Sequence, residues 1–591
     1  MKNFLDKYFI YIVWVTAVSC SITIPLFFPN NDQTVSMSYD VGFNNRIGLA
    51  IIVFFSFVFF LFSFLRKNAP AYNEINLFAK SSNTNNVAFL STIVSTALLF
   101  LLYSIFCSPY ILYMGEGSYF TLHVYDTLMG LSPYKDFVYY YGPFSIYFPI
   151  IIYKILPFLG IEASYVFSLA LTQIACLFIA KDLLSIFSFS NKTRGFILIL
   201  IAISFFPYSM GFNSCLIRYV LAPWLFVKLV NVFHSKGNLL GKTIFLFASN
   251  SITLLVSPEV WIIYSVISFL FLIIDTIIRK EYRQTWAILS MIVSCVLLYY
   301  SFPSLFTVIS DFSSGCNNLP FVPSLAFLLL IISILVVAGH IGYLLKSCIE
   351  NYVVILFYLI CLSSIPAALG RTDPIHIVYN GWLVVLLALN FCITKHQKQI
   401  KMIYFMVSFF FLIHIPFNVI SYGRIYIKEC LANLYENKAY VFENCIPINI
   451  DNKKAIKRIV KYKKELPFKM NKKERVTMPI MTNNFYYLHL RNMGIYCNTY
   501  FPKIWFSATN KNVNRMISEM NDKDIDCLLL PADWQNFIAP DNKHNSLLFL
   551  CPPFFENKRN GNFVYKPMFD YIENNFMLVE SSGEWLKYKK K

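Results

Sequence analysis

Apolar runs long enough to cross a lipid bilayer recur along this chain as far as residue 421, and they limit its fold more than any other feature. A spanning helix needs about 20 apolar residues at 1.5 Å per residue. Runs of this kind stand near 8–28, 48–65, 88–108, 164–187, 195–210, 219–233, 243–257, 260–278, 285–302, 321–345, 352–369, 378–394 and 402–421. That predicts an α-helical polytopic membrane protein with about 13 transmembrane helices. The first run has no small-residue cleavage site before Asn30 and reads as a retained anchor. Of the 591 residues, 57% are hydrophobic and 14% charged, against about 25% charged in soluble domains. A soluble protein this apolar has nowhere to put its surface. The 59 Phe and 39 Tyr suit lipid-facing and interfacial positions.

The net charge of +18 does not point to nucleic acid. Residues 421–591 hold 27 Lys/Arg against 17 Asp/Glu, so +10 of it sits in the tail. The rest lies in short loops, the pattern of cytoplasmic segments. Lys2 and Lys7, Arg66 and Lys67, Lys192 and Arg194, Lys236 and Lys242, Arg279, Lys280 and Arg283, Lys346, and Lys395 to Lys401 are therefore expected on the cytoplasmic side. That places the N-terminus inside, and loop 109–143 and the tail outside, of the membrane. The apolar stretch 144–160 disturbs the parity. It reads as a helix at or dipping into the outer interface; alternatively it spans and the charge rule fails locally.

After about residue 422 Lys, Asn and Glu rise. VTMPIMT (476–482) and DIDCLLLP (524–531) read as buried strands, and KNVNRMISEMND (511–522) as an amphipathic helix. The expected organisation is a transmembrane domain over 1–421 and an extracytoplasmic α/β domain over 422–591. Fourteen Cys show neither C-x-x-C nor metal-ligand spacing. Cys430 and Cys445 could pair if the tail is extracytoplasmic.

Loop 109–143 reads PYILYMGEGSYFTLHVYDTLMGLSPYKDFVYYYGP. It places three acids, Glu116, Asp126 and Asp136, among aromatics just outside the bilayer. Sugar transfer from a polyprenyl phosphate needs a carboxylate at this level, because the lipid tail keeps the phosphosugar head at the interface while a base deprotonates the acceptor hydroxyl. The same acids also suit an ordinary polar loop.

The run from MGEGSYF through GLSPYKDF to YYYGPF resembles the first outer loop of C-type membrane glycosyltransferases, the group that includes dolichyl-phosphate-mannose mannosyltransferases and aminoarabinose transferases. Sparser similarity continues at Arg218 and Pro223 in IRYVLAP, Pro258 and Glu259 in SPEV, and Arg371, Asp373 and His376 in GRTDPIHIVYNG. The resemblance covers roughly residues 85–420. It implies that Glu116 is the catalytic acid of the loop. Asp136 is then the second acid, orienting the acceptor or, if a metal is used, binding it. It implies a polyprenyl-phosphate sugar as donor and an extracytoplasmic glycan or lipid as acceptor. Arg218 and Arg371 suit the donor phosphate, because a guanidinium grips phosphate with a bidentate fork. Glu259, Asp373, His376 and Tyr134 complete the expected substrate-binding set. Each has a plain structural reading as well: a helix-end arginine, a loop ion pair, a satisfied interfacial histidine.

No zinc-type cluster, phosphate-binding loop G-x-x-x-x-G-K-[ST] or dinucleotide motif occurs, and no cofactor is expected beyond the activated lipid. Beside a degenerate, non-catalytic scaffold, against which the presence of every acid in the loop argues, two alternatives remain from sequence. One is an O-antigen polymerase or ligase type of enzyme, although such proteins usually carry their decisive loop late in the chain. The other is a transporter or flippase of lipid-linked glycans, for which inverted repeats and mid-membrane broken helices would be the signs.

Overall fold

The computed structural model describes residues 2–29, 36–66, 75, 77, 94, 117–205, 211–212, 215–282, 285–302, 304–305, 318–395, 406–408, 410–412, 468–480, 490, 493–497, 499–501, 509–538, 564–583 and 585–591. The expected spans near 88–108 and 402–421 lie largely outside these residues, as do Glu116, Cys430 and Cys445. The other eleven expected spans each fall on a helix.

The helices are α1 (Lys2–Thr23), α2 (Asn45–Leu65), α3 (Gly117–Leu128), α4 (Phe144–Ile155), α5 (Gly160–Ser185), α6 (Asn191–Phe205), α7 (Ile217–His234), α8 (Leu239–Val256), α9 (Pro258–Arg279), α10 (Thr285–Ser301), α11 (Leu325–Leu344), α12 (Cys348–Leu362) and α13 (Pro374–Lys395). Their boundaries follow capping chemistry. Asn44 accepts from the Arg46 and Ile47 amides, Asn238 from Gly241 and Ser324 from Phe327, each opening a helix. Ser257 is extended and Pro258 takes the first position of α9, where its missing N–H costs nothing.

Seven segments among the described residues are long and apolar enough to cross a membrane: Tyr8–Leu26, Asn45–Leu65, Ala163–Ser185, Leu239–Val256, Pro258–Arg279, Leu325–Gly370 and Pro374–Phe391. The sixth holds both α11 and α12. The difference from thirteen has physical causes beyond the undescribed runs. Helices α6 and α12 have 15 residues each, and α7 carries Arg218 and Lys228. Helix α4 has 12 residues, about 18 Å long at the α-helical rise and well short of a bilayer core. It is followed by a one-turn 3-10 segment before α5, so 144–160 is not one spanning helix. Large apolar side chains face outward along the bundle, among them Val15, Phe54, Ile155, Phe158, Trp286 and Tyr300. In water such a surface would aggregate; in lipid it is the ordinary exterior.

Side-chain contacts sort the helix ends into two groups. At one end Lys346 donates to the Arg66 carbonyl, Lys242 and Arg279 to the Phe233 carbonyl, and Arg194 to the carbonyls of Ser185 and Phe187. These cations belong to the set expected on one face of the membrane, and their side chains satisfy carbonyls left open at helix C-termini. We call this the basic end. At the other end Asn45 donates to Leu319 and Leu369 carbonyls and Thr372 to Pro320. Loop 129–143 lies here too, and we call it the aromatic end.

The C-terminal region forms a four-stranded sheet of β1 (Val476–Thr477), β2 (Cys527–Pro531), β3 (Phe576–Ser582) and β4 (Trp585–Lys590), in spatial order β1-β2-β4-β3. β1 pairs parallel with β2; the other two pairings are antiparallel. Helices α14 (Asn510–Asp522) and α15 (Lys566–Asn575) pack on it through Val513, Met516, Met520, Met568 and Ile572. The apolar cluster that joins them is continuous with Tyr119, Phe120, Tyr134, Phe137 and Tyr139 of the loop and Trp261 of α9. Leu122 of α3 packs instead with Val476, Met478 and Leu529. The sheet region is therefore seated on the loop.

Candidate functional site

The segment Ser132–Phe137 folds on itself. Asp136 Oδ2 accepts from the Ser132 amide at 2.7 Å, while the Asp136 amide donates to the Ser132 carbonyl at 2.9 Å. Tyr134 donates its amide to the Phe137 carbonyl at 2.9 Å and takes φ +66°. A left-handed backbone at a bulky residue costs on the order of 1–2 kcal/mol and persists only where the surroundings over-determine it. Here they do: Tyr134 is fully buried and its hydroxyl donates to the Tyr141 carbonyl. Burial first, then the neighbouring Tyr139 and Glu259, push its pKa well above the ordinary tyrosine value, so it stays a donor. Tyr134 was expected to bind substrate. Its hydroxyl is used within the loop, on the Tyr141 carbonyl.

Tyr119, Phe120, His123, Phe137, Tyr139 and Tyr141 form a box of edge-to-face and stacked rings, with His123 parallel to Phe137 at 4.5 Å. Tyr139 donates to or accepts from Ser145 within it. Asp126, expected as one of three acids at the surface of a polar loop, is fully buried, its carboxylate 3.4 Å from His123 Nδ1. Three residues apart on α3, the two lie on one face of the helix, and the rings of Phe137 and Tyr139 pack on His123. The loop is a packed layer, and the polar-loop expectation is corrected accordingly. Asp136 stays partly exposed at its rim.

Gly142 explains how the loop meets the bundle. A Cβ there would stand 2.2 Å from the Leu255 carbonyl oxygen and 2.3 Å from the Val256 carbonyl carbon. Only glycine lets the two main chains approach this closely. The approach brings YYYGPF against the corner that opens α9, two residues before Glu259.

At that corner the Arg218 guanidinium is ion-paired with Glu259. It lies 5.4 Å from the Tyr141 ring centroid and 5.9 Å from that of Tyr219, within cation–π range of both. The Arg218 side chain is 19% exposed and that of Glu259 45% exposed, so the carboxylate opens outward and the guanidinium is held behind it. Three positions distant in sequence thus form one polar contact in an aromatic setting.

Arg371, Asp373 and His376 form a second group. Arg371 Nε donates to Asp373 Oδ2 at 3.0 Å, the His376 amide donates to Asp373 Oδ1 at 3.1 Å, and His376 Nδ1 lies 2.9 Å from Oδ1 and 2.8 Å from Oδ2. Burial alone would raise the Asp373 pKa, but the charge and hydrogen bonds of His376 and the Arg371 guanidinium outweigh it and hold it at about 2. One turn along α13, Tyr379 packs 5.9 Å from Tyr219, the neighbour of Arg218. The two charge groups are joined by that ring pair.

Sequence reasoning passed over Tyr139, Tyr141, Gly142 and His123 as individuals, though they stand in the quoted motif, and it passed over Tyr500 altogether. The Val138 amide donates to the Tyr500 carbonyl at 2.7 Å, and the Tyr500 hydroxyl to the Tyr134 carbonyl at 3.4 Å. No local signal announces a contact 366 residues apart. Among the described residues no group of three His, Cys, Asp or Glu could hold a metal ion. Compared with known proteins, the chain matches no family model, no curated protein and no solved structure.

Proposed function

We propose that the chain is a membrane glycosyltransferase that moves a glycosyl group from a polyprenyl-phosphate donor to a glycan or lipid acceptor. The aromatic end, in this reading, faces away from the cytoplasm and the sheet region lies with it. The observation that carries the reading is the meeting of Arg218 and Glu259 over Tyr141 of the loop motif. A guanidinium has five N–H donors, so pairing with one carboxylate oxygen does not exhaust it. Held between two rings, it can take the donor phosphate and stabilise charge that grows on the leaving lipid phosphate. Glu259 keeps that fork oriented when no donor is bound. Glu116 would take the acceptor proton, with Asp136 at the rim orienting the acceptor.

The test is transfer of labelled sugar from polyprenyl phosphate by purified protein in nanodiscs. Glu116→Gln keeps shape but accepts no proton, and loss of a positioned base costs about 10²–10⁴-fold in rate. Full activity in a well-folded Glu116→Gln protein defeats the assignment. A wild type that transfers nothing across a broad donor panel, but moves lipid-linked glycans between leaflets, hands the site to a transporter.

A further inference from the structure

We propose that Tyr500 and the two α14 side chains that hold it are positioning residues for the candidate site, so that the sheet region acts as a clamp on the loop. The inference rests on the proposed transfer activity for its kinetic test, but its structural test does not.

Tyr500 grips the loop at two places. Its carbonyl receives the Val138 amide at 2.7 Å, and its hydroxyl reaches the Tyr134 carbonyl at 3.4 Å. It is itself gripped from behind. Its amide donates to Glu519 Oε2 at 2.6 Å, and the Arg515 guanidinium lies 4.0 Å from its ring centroid while donating to Glu519 Oε1 at 3.1 Å. The path continues from Tyr134 through its hydroxyl to the Tyr141 carbonyl, and the Tyr141 ring lies against Arg218.

A free loop would relax Tyr134 out of its left-handed conformation, which an L-residue rarely holds unaided. Both clamp contacts fall on the segment that would move, the Tyr134 carbonyl and the Val138 amide. Relaxation there would shift Tyr141, the ring that backs Arg218. A displacement of about 1 Å at a site of this kind costs about 100-fold in rate. The loop's shape is thus set by residues more than 350 positions away, and α14, whose Arg515 is half exposed, is the outer handle of the clamp.

The experiment uses the full chain in nanodiscs and reads hydrogen exchange in 131–141 beside kinetics with the polyprenyl-phosphate donor. Tyr500→Ala should raise exchange of the Val138 amide at least about tenfold and leave α7 and α9 unchanged, since opening is local. The kcat should fall about tenfold to a hundredfold, with KM for the donor changed less than about threefold, because Arg218 remains. Tyr500→Phe, which keeps the ring and the Val138 bond but loses the hydroxyl's contact with the Tyr134 carbonyl, should fall between wild type and Tyr500→Ala in both readouts. Glu519→Ala, a milder change on α14, should move both readouts the same way but less. Unchanged exchange in the loop overturns the clamp, and so does exchange that rises across the whole bundle. Faster loop exchange with unchanged kcat overturns the positioning role. A wild type that transfers no sugar, with loop exchange still rising in Tyr500→Ala, sinks the transferase reading and leaves the clamp standing.

Discussion

Helices α7 and α9 are bonded to each other at both ends through a carboxylate of α9, and the two pairs are built differently. At the aromatic end Arg218 meets Glu259, whose side chain is 45% exposed. At the basic end His234 meets Asp275, which is fully buried. Asp275 Oδ1 also accepts from Tyr352 at 2.5 Å, and Arg279 lies 3.8 Å from Oδ2. One carboxylate is surrounded by three partners from three helices; the other, on a side chain 45% exposed, is held by Arg218 with the Ser257 hydroxyl and its own amide beside it. A buried charge is tolerable only when its partners saturate it. An exposed carboxylate needs no such saturation and keeps capacity for a ligand. The same chemistry therefore serves as a fastener at one end and as a candidate site at the other.

The comparison breaks most readily at Asp275. Asp275→Ala leaves His234 and Arg279 without their shared carboxylate, and cutting a buried ion pair costs about 3–5 kcal/mol. The variant should melt far below wild type in detergent. A variant that melts like wild type yet loses transfer would put function at the basic end instead.

Glu259→Gln should do the reverse. Its pair is half open to solvent, so stability should change by no more than about 1 kcal/mol. Transfer should fall about tenfold to a hundredfold, the worth of one charge-assisted contact of about 1.5–3 kcal/mol. A large drop in melting temperature with normal kcat/KM in the surviving protein would make Glu259 a second fastener.

The smallest effect is one of pH, and it asks whether the aromatic end has a fastener of its own. Asp373 titrates at about 2 in the folded chain against an ordinary 3.8. A depressed carboxylate contributes stability that is fully present above the ordinary value and is lost as pH falls through the folded one. Wild type minus Asp373→Asn stability should shrink as pH falls from about 4 to 2, where the carboxylate takes its proton. A difference that stays unchanged through that window contradicts the pairing with Arg371 and His376.

What could be read in advance follows the range of the forces. The expected strand 524–531 and helix 511–522 appear as Cys527–Pro531 and Asn510–Asp522, from apolar runs and period that are local, whereas of the expected strand 476–482 only Val476–Thr477 is a strand and 478–480 leave it at Pro479. The closing hairpin of β3 and β4 passed unread, although Ser582–Gly583 is a turn signal and Gly583 takes φ +61°. Arg218 and Glu259 were legible as charges in apolar surroundings; that they hold each other was not, because a contact between residues 41 positions apart depends on helix packing. The burial of Asp126 was missed because it follows from how the loop packs, which no local pattern states. Helical spacing put His123 on the same face, but nothing nearby says which face is covered. Tyr134 illustrates the limit: its left-handed backbone is imposed by tertiary contacts, and no local preference of tyrosine foretells it.

The twin pairs of α7 and α9 also bear on which changes of length this chain can absorb. Arg218 to His234 and Glu259 to Asp275 are the same distance along their helices, roughly 24 Å at 1.5 Å per residue. A residue added to or removed from either helix between its two bonded positions turns everything beyond it by about 100°. One pair would then face lipid while the other stayed closed. Substitutions between the pairs can be compensated by a neighbour's side chain, but a shift in count cannot. Variation in length should therefore collect in the connection from Ser235 to Asn238, outside the span that the two bonds measure.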